Sequence, residues 1–170
     1  LVKEMVGREV DQFYATGKTR VVGKRICLVK NLSKESTFSN INFELHEGEI
    51  LGFAGLVGSR RTDVGLAMFG INPADSGSIE LEGETVKINS PQTAKKLGIV
   101  YMTEDRHQLG LAMPMSITSN ITLPSLSRYL GKFGIINKEK EDETANEFKN
   151  RLQIKTTSLE QEVSTLSGGN

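Results

Sequence analysis

The octamer Gly55-Leu-Val-Gly-Ser-Arg-Arg-Thr62 constrains this chain more than any other segment. It follows a mostly apolar run, Glu49 to Ala54, that reads as a strand buried on both faces. It precedes Thr62 to Phe69, where Val64, Ala67 and Met68 lie three and four apart and share one helix face, with Gly70 as the stop. A tight glycine loop between a buried strand and a helix asks for a sheet with helices laid on it. Against the phosphate-cradle pattern G-x-x-x-x-G-K-[ST], the octamer keeps the first glycine, the final hydroxyl and the spacing. Such a loop turns backbone N–H groups inward, here those around Gly55, Gly58 and Ser59, and the helix N-terminus adds roughly half a positive charge. The Thr62 hydroxyl then suits Mg²⁺, and a cation at Arg61 suits the β- and γ-phosphates of a nucleotide. Two positions depart from the pattern. Arg61 exchanges a compact ammonium for a broad planar fork. Arg60 replaces the second glycine, setting a Cβ and a long cation where backbone must approach phosphate or take a positive φ. Both changes predict weakened nucleotide turnover. Taken alone, the octamer also reads as a glycine loop that merely turns a strand into a helix.

The rest of the chain supplies the other elements of an α/β fold. Arg25 to Lys30 and Ile41 to His46 are strand-like, with a turn at Glu47-Gly48. Gly77 to Gly83 and Thr85 to Ile88 read as a hairpin turned at Glu82-Gly83-Glu84. Ser90-Pro91 opens a helix that runs to about Leu97 and ends at Gly98, and Ile99 to Met102 reads as a second buried strand. Beyond Thr103, Pro114, Ser116 and Pro124 punctuate short helices. Asn137 to Gln153 is a charged helix with Ala145, Phe148 and Leu152 as its apolar stripe, and Lys138 to Glu143 as a solvated face. Only two strands have the apolar continuity of a parallel sheet, so that sheet is expected to be incomplete, and the Gly-Gly-Asn end reads as a cut one.

Composition removes several function classes. The chain of 170 residues carries 21 basic and 21 acidic side chains, and this balance argues against a nucleic-acid binder, which needs a basic excess. The longest apolar run, Ile50 to Gly58, is far short of a membrane span. The charged N-terminal stretch, Lys3 to Asp11, has no apolar core and predicts no signal sequence. One cysteine, Cys27, and two histidines, His46 and His107, leave no metal site of nitrogen and sulfur ligands. Cys27 reads as a small core residue, and neither histidine has a partner that suggests acid–base work.

Two further segments change the weight of the octamer. Leu166-Ser-Gly-Gly-Asn170 matches the pentapeptide L-S-G-G-Q at four of five places. Alone it is a flexible linker; about a hundred residues after a cradle remnant, its Ser167, Gly168 and Gly169 offer backbone N–H groups to a γ-phosphate. Tyr101-Met-Thr-Glu-Asp-Arg106 runs out of the end of a predicted strand, and its Glu-Asp-Arg otherwise reads as a solvated turn.

With Gly48 to Gly58, Leu66 to Gly70, Asp75 to Ile79, Ser90-Pro91, Glu104 to Arg106, Gly110-Leu111, Asn120 to Leu123 and Leu166 to Asn170, nearly the whole chain resembles the ATP-binding subunit of bacterial monosaccharide ABC importers, the ribose, galactose, arabinose and autoinducer-2 type. These carry two cassettes in one polypeptide, and this chain is similar to the second, truncated at the signature motif. The resemblance implies a P-loop NTPase core, an antiparallel β-subdomain and a helical insertion. Residues 1–20 are then a linker from a preceding cassette, 21–106 the core with its β-subdomain, and 107–170 the helical subdomain.

Glu104 falls where cassette ATPases carry the Q-loop glutamine, which implies a place near Mg²⁺ and the attacking water. ATP and Mg²⁺ are the implied cofactors. The implied partners are the first cassette, the permease subunits and, indirectly, a periplasmic or extracellular sugar-binding protein, at the cytoplasmic face of the membrane. The resemblance implies an asymmetric pair. This half lends Ser167, Gly168 and Gly169 to the partner's ATP, while its own site around Gly55 to Thr62 turns over slowly or not at all. Walker B and the switch histidine are expected beyond Asn170, so the 170-residue chain alone is expected to be inactive. No aromatic takes the adenine-stacking place; Phe38, the nearest, is expected to pack under the β-subdomain. The alternatives are a non-catalytic interaction domain of P-loop shape and a small P-loop kinase, though only Arg128 and Arg151 lie where a kinase carries its arginine-rich lid.

Overall fold

Strand β1 (Arg25–Lys34) is the axis of the fold. In the computed structural model, which describes residues 22–167, it pairs antiparallel on one side with β2 (Phe38–His46) and on the other with β3 (Ser76–Leu81). A short β4 (Glu84–Val86) completes the order β2-β1-β3-β4. Period-two alternation sets the faces. Cys27 lies opposite Leu45 and Leu81, and Val29 opposite Phe43 and Ile79, so one face carries the apolar residues. Cys27, Val29, Leu32 and Ile79 form a buried cluster with Ile88 and Ala94, and Phe38 packs against it as expected. Burying each Val, Leu or Ile fully contributes about 1.5–3 kcal/mol. The hairpin turn is tighter than expected: Glu82 (φ 49°) and Gly83 (φ 92°) make a two-residue turn, and Glu84 already belongs to β4.

Helix α1 (Arg61–Met68) buries Val64 and Ala67, the expected face. Gly70 ends it at φ +78°, where a Cβ would lie 2.7 Å from the Ser90 backbone. That close approach brings the end of α1 against the start of α2 (Pro91–Lys96), whose Ser90 side chain accepts from the Thr93 N–H at 3.2 Å. Tyr101 stacks on Phe69 with ring centroids 5.8 Å apart, and its ring edge lies against Gly65.

Two sequence expectations fail here. Glu49 to Ala54 and Ile99 to Met102 form no strand. Ile50, Val100 and Met102 are 87%, 84% and 94% exposed. A parallel strand needs neighbours to take its backbone N–H and C=O groups, and among the described residues none pairs with either segment. The expected parallel sheet is therefore absent among the described residues, where all strand pairing is antiparallel. Phe53 is held instead by an edge-on contact with Phe43, and the Glu49 carboxylate accepts from the His46 N–H and lies 3.2 Å from its Nδ1.

The chain divides into two compact units, Leu1–Tyr101 and Met102–Asn170. The reading of residues 1–20 as a linker lies outside the described residues. The second unit is helical. Asp105 caps a single π turn (Arg106–Gly110), and Ser116 caps α3 (Ile117–Thr122), which runs into a 3₁₀ turn (Leu123–Arg128). Asn137 caps α4 (Lys138–Leu152), with acids in its first turn and Lys149 and Arg151 in its last, as the helix dipole favours. Ala145 is buried and Phe148 half-buried, but Leu152 is 65% exposed and does not extend the stripe. Nor is the charge run wholly solvated: Glu141 is buried at 5% exposure beside Thr122.

Candidate functional site

The residue that opens α1 also shapes the candidate site. Arg60 is the N-cap, in the left-handed region at φ 62°, ψ 22°, with no capping side-chain hydrogen bond. This is the conformation that a glycine would adopt freely and that costs an L-residue about 1–2 kcal/mol. Gly58 before it is also left-handed, at φ 85°. Two positive-φ residues, with the Ser59 N–H donating back to the Leu56 carbonyl at 3.1 Å, coil the loop tightly ahead of the helix. A Cβ at Gly55 would meet Ser59 Oγ at 2.5 Å and Arg61 Cδ at 3.4 Å, so a side chain there would push Ser59 off its present position. The bareness of Gly55 lets Ser59 and the Arg61 stem lie back across the loop.

These residues enclose a cavity of about 170 Å³, lined by Leu56 and by residues 58–63. Gly58, Ser59, Arg60, Arg61 and Thr62 thus share one concavity, with Gly55 beneath Ser59. Two guanidinium side chains, a hydroxyl and the positive end of a helix give it an anion-binding character. A phosphate group fits such a space and donor set. One wall was not anticipated from the sequence. Asp63 lines the cavity, and its Oδ2 lies 3.8 Å from Arg60 Nη1. The signal was present as an Arg–Asp pair at i, i+3 across the helix start.

The remaining site residues belong to the second unit. Glu104 is exposed, next to an ordered turn in which the Asp105 N–H donates to Thr103 Oγ1 at 3.0 Å and Asp105 Oδ1 accepts from the Gln108 N–H at 3.1 Å. Ser167 is exposed and follows a 3₁₀ turn (Val163–Thr165). That turn is docked on the start of α3 by backbone bonds, the Val163 N–H to the Met115 carbonyl and the Ile117 N–H to the Gln161 carbonyl, both at 3.1 Å. Gly168 and Gly169 lie outside the described residues. Among the described residues, no group of three or more His, Cys, Asp and Glu side chains is placed to hold a metal ion, and no helix is long and apolar enough to cross a membrane. Burial pushes the Cys27 thiol above its ordinary pKa, which fits its place in the core.

Residues 38–170 match the family model described as ABC transporter. The whole chain is 44% identical to the ribose import ATP-binding protein RbsA 3 of Rubrobacter xylanophilus, of which it covers 34%. It is 41% identical over its whole length to a putative ribose/galactose/methyl galactoside import ATP-binding protein 1 of Agrobacterium fabrum, again covering 34%. The chain therefore spans about a third of the length of the curated relatives it matches. Among solved structures, the MJ1267 ATP-binding cassette of an ABC transporter superposes with a TM-score of 0.67 at 19% identity, over 86% of this chain and 60% of that one. A dimeric post-hydrolysis cassette, MJ0796 bound to ADP and Pi, gives 0.64 at 20% identity, over 85% and 64%. At these identities the likeness shows the fold: an α/β chain of the P-loop cassette type.

Proposed function

This chain belongs to the ABC transporter family, and from that membership we propose that it is part of the ATP-binding subunit of a sugar importer, corresponding to the second of two cassettes in one polypeptide. The observation that carries this reading is the 41–44% identity along the entire chain to relatives named as sugar import ATP-binding proteins. The kinase alternative loses its ground, since the match runs from Phe38 through Asn170 rather than over the glycine loop alone.

In this reading the two phosphate-binding elements have different fates. The tail Ser167-Gly168-Gly169 matches the ABC signature and lends its N–H groups to the ATP of the first cassette. The cradle at Gly55 to Thr62 holds the phosphates of its own nucleotide weakly, through Gly55, Gly58, Ser59, Arg60, Arg61 and Thr62. Mg²⁺, when bound with the nucleotide, would supply charge neutralisation between phosphates, and Thr62 would ligate it. Phosphoryl transfer rests on positioning and charge stabilisation, so a cradle with an arginine at each of its two most phosphate-proximal positions gives up much of what the loop contributes. Support for the asymmetry comes from Arg60, which takes the glycine-type φ of 62° at the cost of backbone strain and keeps its charge occupied with Asp63. The partners are the first cassette, transmembrane permease subunits and, through them, a sugar-binding protein, at the cytoplasmic membrane face.

The test is uptake. Cells lacking the gene are complemented with the parent form, and accumulation of radiolabelled pentoses and hexoses is measured. Restored uptake of at least one monosaccharide is expected. Uptake of every tested sugar unchanged by deletion and complementation would contradict the importer reading.

A further inference from the structure

The geometry points to an internal competitor at the cradle: Asp63 holds the Arg60 guanidinium as its counter-anion, and a polyphosphate binds by taking that guanidinium away from Asp63. This rests on the reading of the octamer as a phosphate cradle and adds to it one residue, Asp63, that regulates its occupancy.

Three observations converge on the exchange. The left-handed backbone at Arg60 places its side chain ahead of the first helical turn, on the rim of the concavity it lines with Arg61 and Thr62. Its guanidinium is 60% exposed and lies 3.8 Å from the less exposed Asp63 carboxylate, close enough for attraction and loose enough to exchange. Asp63 sits in the first turn of α1, where a carboxylate also answers the helix dipole. Without ligand, two of the cradle's three positive features, the Arg60 guanidinium and the helix end, are therefore met by one side chain of the chain itself. A phosphate brings more charge and more acceptor oxygens than a carboxylate, and it can take two parallel bonds where Asp63 offers one approach at 3.8 Å, so it wins the exchange once present.

The cavity also restricts the ligand class. At about 170 Å³ it has room for the phosphate end of a ligand, below the roughly 300 Å³ at which small-molecule pockets begin. The recognised group is the polyphosphate, whether free pyrophosphate or the tail of ATP.

The experiment uses the full gene product with an L56W reporter, since Leu56 is 85% exposed on the cavity wall. Indole fluorescence is titrated with pyrophosphate, Mg-ATP and adenosine in the parent, D63N, R60A and R60A/D63N proteins. An exposed pair of this kind moves an equilibrium by up to about fivefold. D63N should tighten pyrophosphate and Mg-ATP about three- to fivefold when Arg60 is present and less than twofold in the R60A background, and adenosine should give no response. R60G, which keeps the left-handed backbone without a side chain, must match R60A. An equal gain from D63N in both backgrounds would mean simple removal of negative charge; the competition is then wrong while the cradle stands. No response to either phosphate ligand in the parent and in D63N overturns the cradle and the competition together.

Discussion

The Thr122 hydroxyl and the Glu141 carboxylate meet at 2.6 Å inside the second unit, where they are 1% and 5% exposed. Thr122 lies at the end of α3 and Glu141 in the first turn of α4, so one buried bond ties the two helices. Thr122 Oγ1 also lies 3.1 Å from the Thr118 carbonyl, a second acceptor for its single proton. A buried acceptor that loses its donor costs the full desolvation penalty of the group. Thr122→Val should therefore lower stability by about 1–3 kcal/mol, and Thr122→Val with Glu141→Leu should recover part of that loss. Urea unfolding followed by helical circular dichroism measures both. Equal loss in the single and double variants would show that the bond is not the source.

Arg60→Gly should stabilise the first unit by about 1 kcal/mol, because glycine takes φ 62° without the side-chain penalty. Losing the exposed contact with Asp63 gives back about 0.2–1 kcal/mol of the roughly 1–2 kcal/mol of strain released, so the net change stays stabilising. The thermal midpoint of the variant against the parent reads the difference, and a lower midpoint contradicts the strain assigned to this residue.

Gly70→Ala should do the reverse and do it strongly. The new Cβ would be held at φ +78° and placed 2.7 Å from the Ser90 backbone, which cannot swing aside as a side chain can. A loss of about 2 kcal/mol or more is expected from backbone strain and displacement of the α2 cap together. Unfolding midpoints of the variant test it; a change within error would mean that the two helix ends are not pressed together.

Cys27 should be slow to alkylate in the folded protein. Burial disfavours its thiolate, so its pKa in the fold lies above that of the unfolded chain. The sign of the linkage follows: this group's contribution to stability is intact below the ordinary thiol pKa and falls as pH rises through the higher folded value. Iodoacetamide labelling at pH 8 is expected to be at least about tenfold slower in buffer than in denaturing urea. Equal rates would place Cys27 outside the core.

The antiparallel part of the fold was legible because its signals are local. Alternation in β2, the glycine turn at Gly83, the Ser90-Pro91 start and the charged helix from about Asn137 all rest on signals within a few residues, and all appear in the structure. Glu49 to Ala54 and Ile99 to Met102 misled for the opposite reason. An apolar run states that a segment can be buried, but a strand forms only where neighbours complete its hydrogen bonds, and their presence is not written in the run itself. Glu141 was missed in the same way: one-dimensional charge patterning groups it with Lys138 and Asp142, while the helix turns it toward Thr122. At the cradle, the substitution at Arg60 announced a glycine-type backbone, and the structure gives it. The pairing with Asp63 needed the first turn of α1 in place before i and i+3 became neighbours.

The asymmetry of the two phosphate-binding elements is tested most directly by steady-state ATP hydrolysis of the full gene product carrying Gly168→Asp or Thr62→Ala. A carboxylate at Gly168 places negative charge where the tail would meet the partner's γ-phosphate, and loss of such stabilisation costs about 10²-fold or more in kcat. Removing the Thr62 hydroxyl from a cradle that turns over little should leave kcat within about twofold. Unimpaired hydrolysis in Gly168→Asp, with activity lost in Thr62→Ala, would contradict the account.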